Sequence, residues 1–299
     1  MQVKEQRYEN CILCPRECGV NRYEKTGACK VGAMLKVSRA ALHMWEEPCI
    51  SGTEGSGTIF FSGCNMGCVY CQNIAISTGK RGKEVFIDEL ADMMLDLMGQ
   101  GANNINLVTP SHYVPSIVPA IKLAKSKGMN LPIVYNTSAY EKVETLKLLE
   151  GLIDIYLPDF KYLDSESGKK YSYTPDYPEV AKKAIAEMVR QVPKVEFDEK
   201  GIMQKGVIVR HLLLPGHLRE AKHIVGYLHE TYGDQIYISL MSQYTPMSDF
   251  EKYPNLNEKV KKRNYDKLID YAVSIGVEQA FIQEGDVASE SFIPEFDME

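Results

Sequence analysis

Past residue 50 the chain alternates short apolar runs with longer stretches whose apolar residues recur every three or four positions. Residues 58–61, 104–108, 132–135, 153–157, 207–214, 235–240 and 279–283 read as strands. Helical spacing covers 116–126, 142–149, 178–191, 219–232 and 257–275, and Met93, Met94 and Met98 read as the core of a further helix. Strands separated by helices imply crossover connections and a parallel sheet. Six or seven strands are too few for a closed eight-stranded barrel, and periodicity alone does not separate a partial barrel from an open sheet. In both architectures chemistry collects at the carboxyl ends of the strands.

That rule selects the polar residues to weigh. Thr109, Ser111 and His112 follow the second strand, Asn136 and Ser138 the third, and Asp159 and Lys161 the fourth. Arg210 and His211 lie within the fifth, Ser242, Gln243 and Tyr244 follow the sixth, and Glu284 follows the last. Asp159 and Lys161, two apart, share an orientation if the backbone stays extended, either bridging ligands or forming an ion pair at the rim. Arg210 and His211 must point to opposite faces, so at most one lines the interior; Arg has the planar fork for a carboxylate.

A net charge of −6 gives no basic footprint for nucleic acid, and no apolar stretch is long enough to span a bilayer. The first residues lack the apolar core of a secretory signal, so a reducing cytoplasm is expected. Seven of the eight cysteines fall into two clusters, which in that compartment argues for metal ligands over disulfides. Cys64, Cys68 and Cys71, spaced three-then-two in one loop after a strand, suit a four-iron cluster with one iron left open; a zinc knuckle or chance clustering of buried thiols is the plainer alternative. Cys11, Cys14, Cys18 and Cys29 could close a zinc site, hold a second iron–sulfur cluster, or bind no metal. Cys49 reads as a small buried hydrophobe. Glu46 and Glu47 could reach the site or form an exposed turn, His217, His223 and His229 read as surface residues, and Lys259, Lys261, Lys262 and Arg263 as a solvated helix face. Two units are expected, a Cys-rich extension over 1–50 and an α/β unit over 51–299.

The loop Cys64-Asn-Met-Gly-Cys68-Val-Tyr-Cys71 resembles the cluster loop of the radical S-adenosylmethionine (SAM) superfamily. The resemblance implies a partial (β/α)6 parallel barrel and a [4Fe-4S] cluster whose open iron chelates SAM's amino and carboxylate groups. It also implies reductive cleavage to a 5′-deoxyadenosyl radical that takes hydrogen from substrate. Tyr70 would then meet the adenine or pack beneath the loop. Thr109 or Ser111 would stand where many members carry Gly-Gly-Glu for the SAM amino group, with Asn136, Ser138 and Gln243 also near the cofactor. Asp159-x-Lys161 and Arg210…Pro215-Gly216 look like segments of glycyl-radical-enzyme activases. From Cys11 to about Gln283 the chain is most similar to the pyruvate formate-lyase activase-related branch. Segments carrying this likeness include Trp45-Glu-Glu-Pro48, Leu157-Pro-Asp-Phe-Lys161 and Gln243-Tyr-Thr-Pro246. It implies an electron donor such as flavodoxin or ferredoxin and a glycyl-radical-enzyme partner. The alternatives are radical modification of a small molecule or peptide and, in another class, an iron–sulfur electron carrier or metal sensor.

Overall fold

A computed structural model describes residues 5–283 and 296. The strands are β1 (Leu35–His43), β2 (Ser56–Phe61), β3 (Lys83–Val85), β4 (Ile105–Val108), β5 (Ile133–Thr137), β6 (Ile155–Pro158), β7 (Glu196–Phe197), β8 (Met203–Leu212), β9 (Tyr237–Met241) and β10 (Ala280–Ile282). The helices are α1 (Pro48–Ser51), α2 (Ile74–Ser77), α3 (Ile87–Gly99), α4 (Val114–Ser126), α5 (Val143–Leu146), α6 (Ser165–Ser172), α7 (Tyr177–Gln191), α8 (Leu218–Tyr232) and α9 (Lys262–Ser274). The sheet runs β10-β9-β8-β6-β5-β4-β2-β1-β3, with β7 paired to β8. From β2 to β10 every pairing along that path is parallel, and β1 and β3 add antiparallel strands at one edge. The expected α/β fold with a mostly parallel sheet is present, left open between β10 and β3.

Strand alternation decides what faces where. Ile133 and Tyr135, Tyr156, and Val207 and Val209 face the main core shared with the helices. Their alternates Val134, Ile155, Leu157 and Ile208 form a second cluster with Cys49 and Ile50 of α1. Helix α8 shows why the outer layer forms: Ala221, Ile224, Val225, Leu228 and Tyr232 recur at helical spacing and are all buried. The inner cluster is plugged at the amino ends of the strands by α1, where Cys49 is buried as the sequence implied. One step further along each inner column come Asn136, Asp159 and Arg210. The same two-residue period that buries Leu157 therefore carries polar groups to the top of an apolar column.

Several boundaries differ from the sequence reading. Residues 142–149 divide into α5 and a 3-10 turn at Lys147–Leu149, and α9 starts at Lys262 because Pro254–Asn257 forms a separate 3-10 turn. Strand β8 starts at Met203 and ends at Leu212, with Leu213 and Leu214 buried in the turn that follows. Strand β1 was not anticipated; it pairs along β2, so a boundary at residue 50 falls between hydrogen-bonded strands. No described helix is long and apolar enough to cross a membrane.

Glu141, just past β5, is buried and accepts hydrogen bonds from the hydroxyls of Ser111, Thr137 (2.5 Å) and Tyr135 (3.3 Å). Burial outweighs those bonds and pushes its carboxyl up to about 7. A raised carboxyl makes the native state bind the proton more tightly, so its contribution is present at acid pH. It is lost as pH rises from the ordinary 4.5 toward about 7. Glu141→Gln should flatten that part of the stability–pH profile by on the order of 3 kcal/mol. Urea denaturation at pH 5 and 7.5 measures this; an unchanged slope would count against the assignment.

Candidate active site

A cleft of about 260 Å³ opens at the carboxyl ends of the strands. Cys64, Cys68 and Cys71 form one wall, on the loop after β2, and Asp159, Lys161 and Arg210 form another, after β6 and on β8. Tyr70, Thr109, Asn136, Ser138 and Gln243 also line it. A larger cavity, about 520 Å³, lies at the opposite end among the first residue of β9 and residues that precede β4 and β8, with a mainly apolar lining. The chemistry is at the carboxyl end.

The charged wall is a connected chain. Arg210 donates from Nε to Asp159 (2.9 Å), from Nη2 to the Asn136 side-chain oxygen (2.7 Å) and from Nη1 to Glu46 (3.2 Å). Lys161 donates to the second Asp159 oxygen (2.6 Å). The Arg210, Asp159 and Lys161 side chains are only 14–18% exposed, so solvent screens them little. Burial opposes ionisation of Asp159, yet Arg210 and Lys161 together hold its carboxyl below the ordinary value. Burial likewise works against the Lys161 ammonium, but the charges on Asp159 and Cys68 raise its pKa. These two pairs are charged at neutral pH.

Of the two readings for Glu46 and Glu47, the structure takes the cleft. Their side chains are 8% and 7% exposed, not an exposed turn, because the apolar plug of α1 draws the preceding residues into the cleft. Glu47 stands 4.0 Å from Arg210, with its Oε2 buried and without a hydrogen-bond partner. Burial raises both carboxyls, only partly offset by Arg210. Trp45, 62% exposed, stands at the same cleft.

The other candidates divide. Ser111 leaves the site: it is buried and its hydroxyl is bonded to Glu141. Thr109 sits at the turn that diverts it, at φ 58°, a strained value for a β-branched residue. The Tyr70 ring packs edge-on against Tyr171 and Tyr244 under the loop. Its hydroxyl meets that of Tyr162 (2.6 Å), which meets Ser172 Oγ (2.7 Å), which donates to Cys68 Sγ (3.0 Å). Sequence reading missed this hydroxyl chain because residues 162 and 172 are remote from the cysteines along the chain. His211 points away from Arg210, as alternation required, and bonds the Phe160 carbonyl (2.8 Å). His217 is not a plain surface residue; it lies 3.0 Å from the Tyr171 hydroxyl and 3.1 Å from Glu220. Glu284 falls outside the described residues.

All eight thiols are unbridged. Among the described residues no three Cys, His, Asp or Glu side chains converge tightly enough to hold a single metal ion as they stand. Cys64, Cys68 and Cys71 nonetheless fit a multi-iron group. They share one cleft wall, they are all sulfur donors, and burial followed by the neighbouring Cys68 charge pushes the Cys64 thiol up to about 12. A cationic metal is what would stabilise three adjacent thiolates there.

A family model described as the radical SAM superfamily matches residues 58–228. An uncharacterized protein of Methanocaldococcus jannaschii is 27% identical over 285 residues, covering 91% of this chain and 77% of that one. The crystal structure of HydG, a maturase of the [FeFe]-hydrogenase, superposes with a TM-score of 0.53 at 18% identity, over 79% of this chain and 53% of that one. Streptococcus suis SuiB bound to S-adenosylmethionine gives 0.51 at 13% identity, over 75% and 49%. The matched parts span about half of those two solved chains, and at such identities the likeness shows the fold alone.

Proposed function

The chain belongs to the radical SAM superfamily, and from that premise we propose that it abstracts a hydrogen atom from a substrate bound against the Asp159–Arg210 wall. The observation that carries this reading is the facing of three thiols and a buried charge chain across one cleft. Cys64, Cys68 and Cys71 would hold a [4Fe-4S] cluster, and Thr109, Asn136, Ser138 and Gln243 border the space for SAM. When bound, the pair supplies one electron and a 5′-deoxyadenosyl radical able to take hydrogen from an unactivated carbon. The protein's own residues do the rest. Lys161, held by Asp159, faces the cluster loop with a fixed positive charge. Arg210 fixes Asp159, Asn136 and Glu46 in one orientation, so a polar substrate meets a preorganised surface. The aromatic floor under Tyr70 excludes water.

Activation of a glycyl-radical enzyme is the finer form of the reading, supported by the resemblance of Asp159-x-Lys161 and Arg210…Pro215-Gly216 to activase segments. A flavodoxin or ferredoxin would deliver the electron. The test is anaerobic reduction with dithionite in the presence of SAM, with 5′-deoxyadenosine measured by chromatography. Product formation supports radical SAM chemistry. No product from protein that carries the cluster and binds SAM, across candidate substrates, would count against it. A glycyl-radical EPR doublet on a co-incubated partner decides the activase form.

The hydroxyl chain gives a sharper expectation. A donor to a cluster thiolate stabilises the more negative, reduced state. Ser172→Ala should therefore lower the reduction potential, by about 40 mV if the bond is worth about 1 kcal/mol. EPR-monitored redox titration reads this directly, and an unchanged or raised potential would contradict it.

A further inference from the structure

We propose that Cys11, Cys14, Cys18 and Cys29 form a second, thiolate-bound metal centre that braces the loop carrying Cys64. The four thiols are not drawn onto one point among the described residues, and neither are Cys64, Cys68 and Cys71. What singles the group out is the charge set beside it. Arg22 is 2% exposed, stacked on Tyr8 and Tyr113, and donates to the carbonyls of His112 and Gly32. Its Nε is buried without a hydrogen-bond partner, and among the described residues it pairs with no carboxylate. A buried guanidinium served only by neutral carbonyls is costly. The thiols that would supply the anion it lacks, once metal-bound, stand next to it. At Gly27 a Cβ would lie 3.2 Å from Cys29 Sγ, 3.6 Å from Cys18 Sγ and 3.8 Å from Arg22 Cδ, the atom that carries Nε. Two thiols and the Arg22 side chain therefore border the same position, which a glycine leaves open.

Four thiolates around zinc, or around a four-iron cluster, carry a net negative charge that neutral thiols do not. Each ligating thiol gives up its proton to solvent as zinc or a preassembled cluster binds, and in that step no electron transfer is required. Such a centre takes an N–H···S bond from Arg22 Nε, so the orphan donor and the unbalanced charge are resolved together. It also explains how residues 9–34, which hold turns but no helix or strand, stay ordered against the sheet.

The brace follows from backbone contacts. The Cys64 N–H donates to the Cys29 carbonyl (3.1 Å), and a Cβ on Gly63 would lie 2.5 Å from that same oxygen. Arg16, between Cys14 and Cys18, donates to the Asn65 carbonyl (2.8 Å) and the Met66 carbonyl (3.3 Å). Fixing the N-terminal cysteines thus fixes both flanks of Cys64. This second part rests on the radical SAM reading; the metal site itself does not.

The test uses the full chain with Cys64, Cys68 and Cys71 all changed to alanine, purified anaerobically. We expect about one zinc per chain, or about four irons with matching sulfide, to remain. Either result supports the site. No bound metal after reconstitution with zinc or with iron and sulfide, with the four thiols titrating freely in the folded protein, overturns it. If that variant does not fold, Cys14→Ser/Cys18→Ser in the otherwise native chain answers the same question. It should lose the second metal increment and carry at most half the cluster occupancy at Cys64–Cys71, read by EPR after reduction. Unchanged metal content overturns the site, and equal occupancy overturns the brace. In the wild-type chain, metal retained at the N-terminal cysteines with no 5′-deoxyadenosine from protein that carries the Cys64–Cys71 cluster and binds SAM, across candidate substrates, would sink the radical reading and leave this one standing.

Discussion

Arg210→Met should be the most destabilising single substitution in the cleft. The guanidinium holds Asp159 at 2.9 Å, Glu46 at 3.2 Å and Glu47 at 4.0 Å. Methionine matches its length but leaves three buried carboxylates facing Lys161 alone. Removing one partner of a buried pair costs about 3–5 kcal/mol, against a total stability on the order of 5–15 kcal/mol. The loss should depend on pH in a definite sense. Burial already raises Glu46 and Glu47 despite Arg210, and without Arg210 they rise further. Raised carboxyls stabilise the native state in acid and lose that contribution as pH climbs through their folded pKa values. The variant should therefore lie closer to wild type at pH 5.5 than at pH 8, by urea denaturation. A deficit equal at both pH values, or below about 1 kcal/mol at pH 8, would show that Arg210 does not balance these carboxylates. Arg210→Lys keeps the charge and loses the fork, so it should recover most of the stability but not the fixed orientation of Asn136 and Glu46.

The sequence made this constellation partly legible, for a reason that can be named. Parallel strands buried on both faces appear as apolar runs, and the two-residue period then puts Arg210 and His211 on opposite faces, with Arg210 inward in the structure. Asn136, Asp159 and Arg210 followed from topology once Val134, Leu157 and Ile208 were recognised as strand residues. Strand β1 was hidden because its register shifts between Val37 and Arg39, which breaks the alternation a strand search depends on. The sequence does not decide between cleft and exposed turn for Glu46 and Glu47, because α1 draws them in against Arg210, more than 160 residues on, and two acidic residues before a proline look like a turn in isolation. Ser111 failed for the opposite reason. The end-of-strand rule placed it in the cleft, but the left-handed backbone at Thr109 sends it to Glu141. Pattern gives the columns, and contacts distant in sequence decide which polar residues sit on them.

Changing Cys64, Cys68 and Cys71 together to alanine should produce the converse phenotype, complete loss of chemistry with little loss of fold. The loop does not depend on those side chains for its position. Asn65 Nδ2 donates to the Tyr140 carbonyl (2.7 Å), Val69 N–H to Tyr171 (2.9 Å) and Arg16 to Asn65 (2.8 Å). The three cysteines are themselves only partly buried, so truncation opens no large cavity. Stability in metal-free buffer should change by no more than about 1 kcal/mol. By contrast, 5′-deoxyadenosine formation should fall to the uncatalysed background, and the reduced iron–sulfur EPR signal that responds to SAM should vanish. Any metal remaining at the N-terminal cysteines would persist without that response, which separates the two centres in one sample. Residual SAM cleavage by this variant would place the reactive cluster elsewhere in the chain. Set beside Arg210→Met, the outcome separates two roles within one cleft: thiols that carry the chemistry at small structural cost, and a buried cation that holds the opposite wall together.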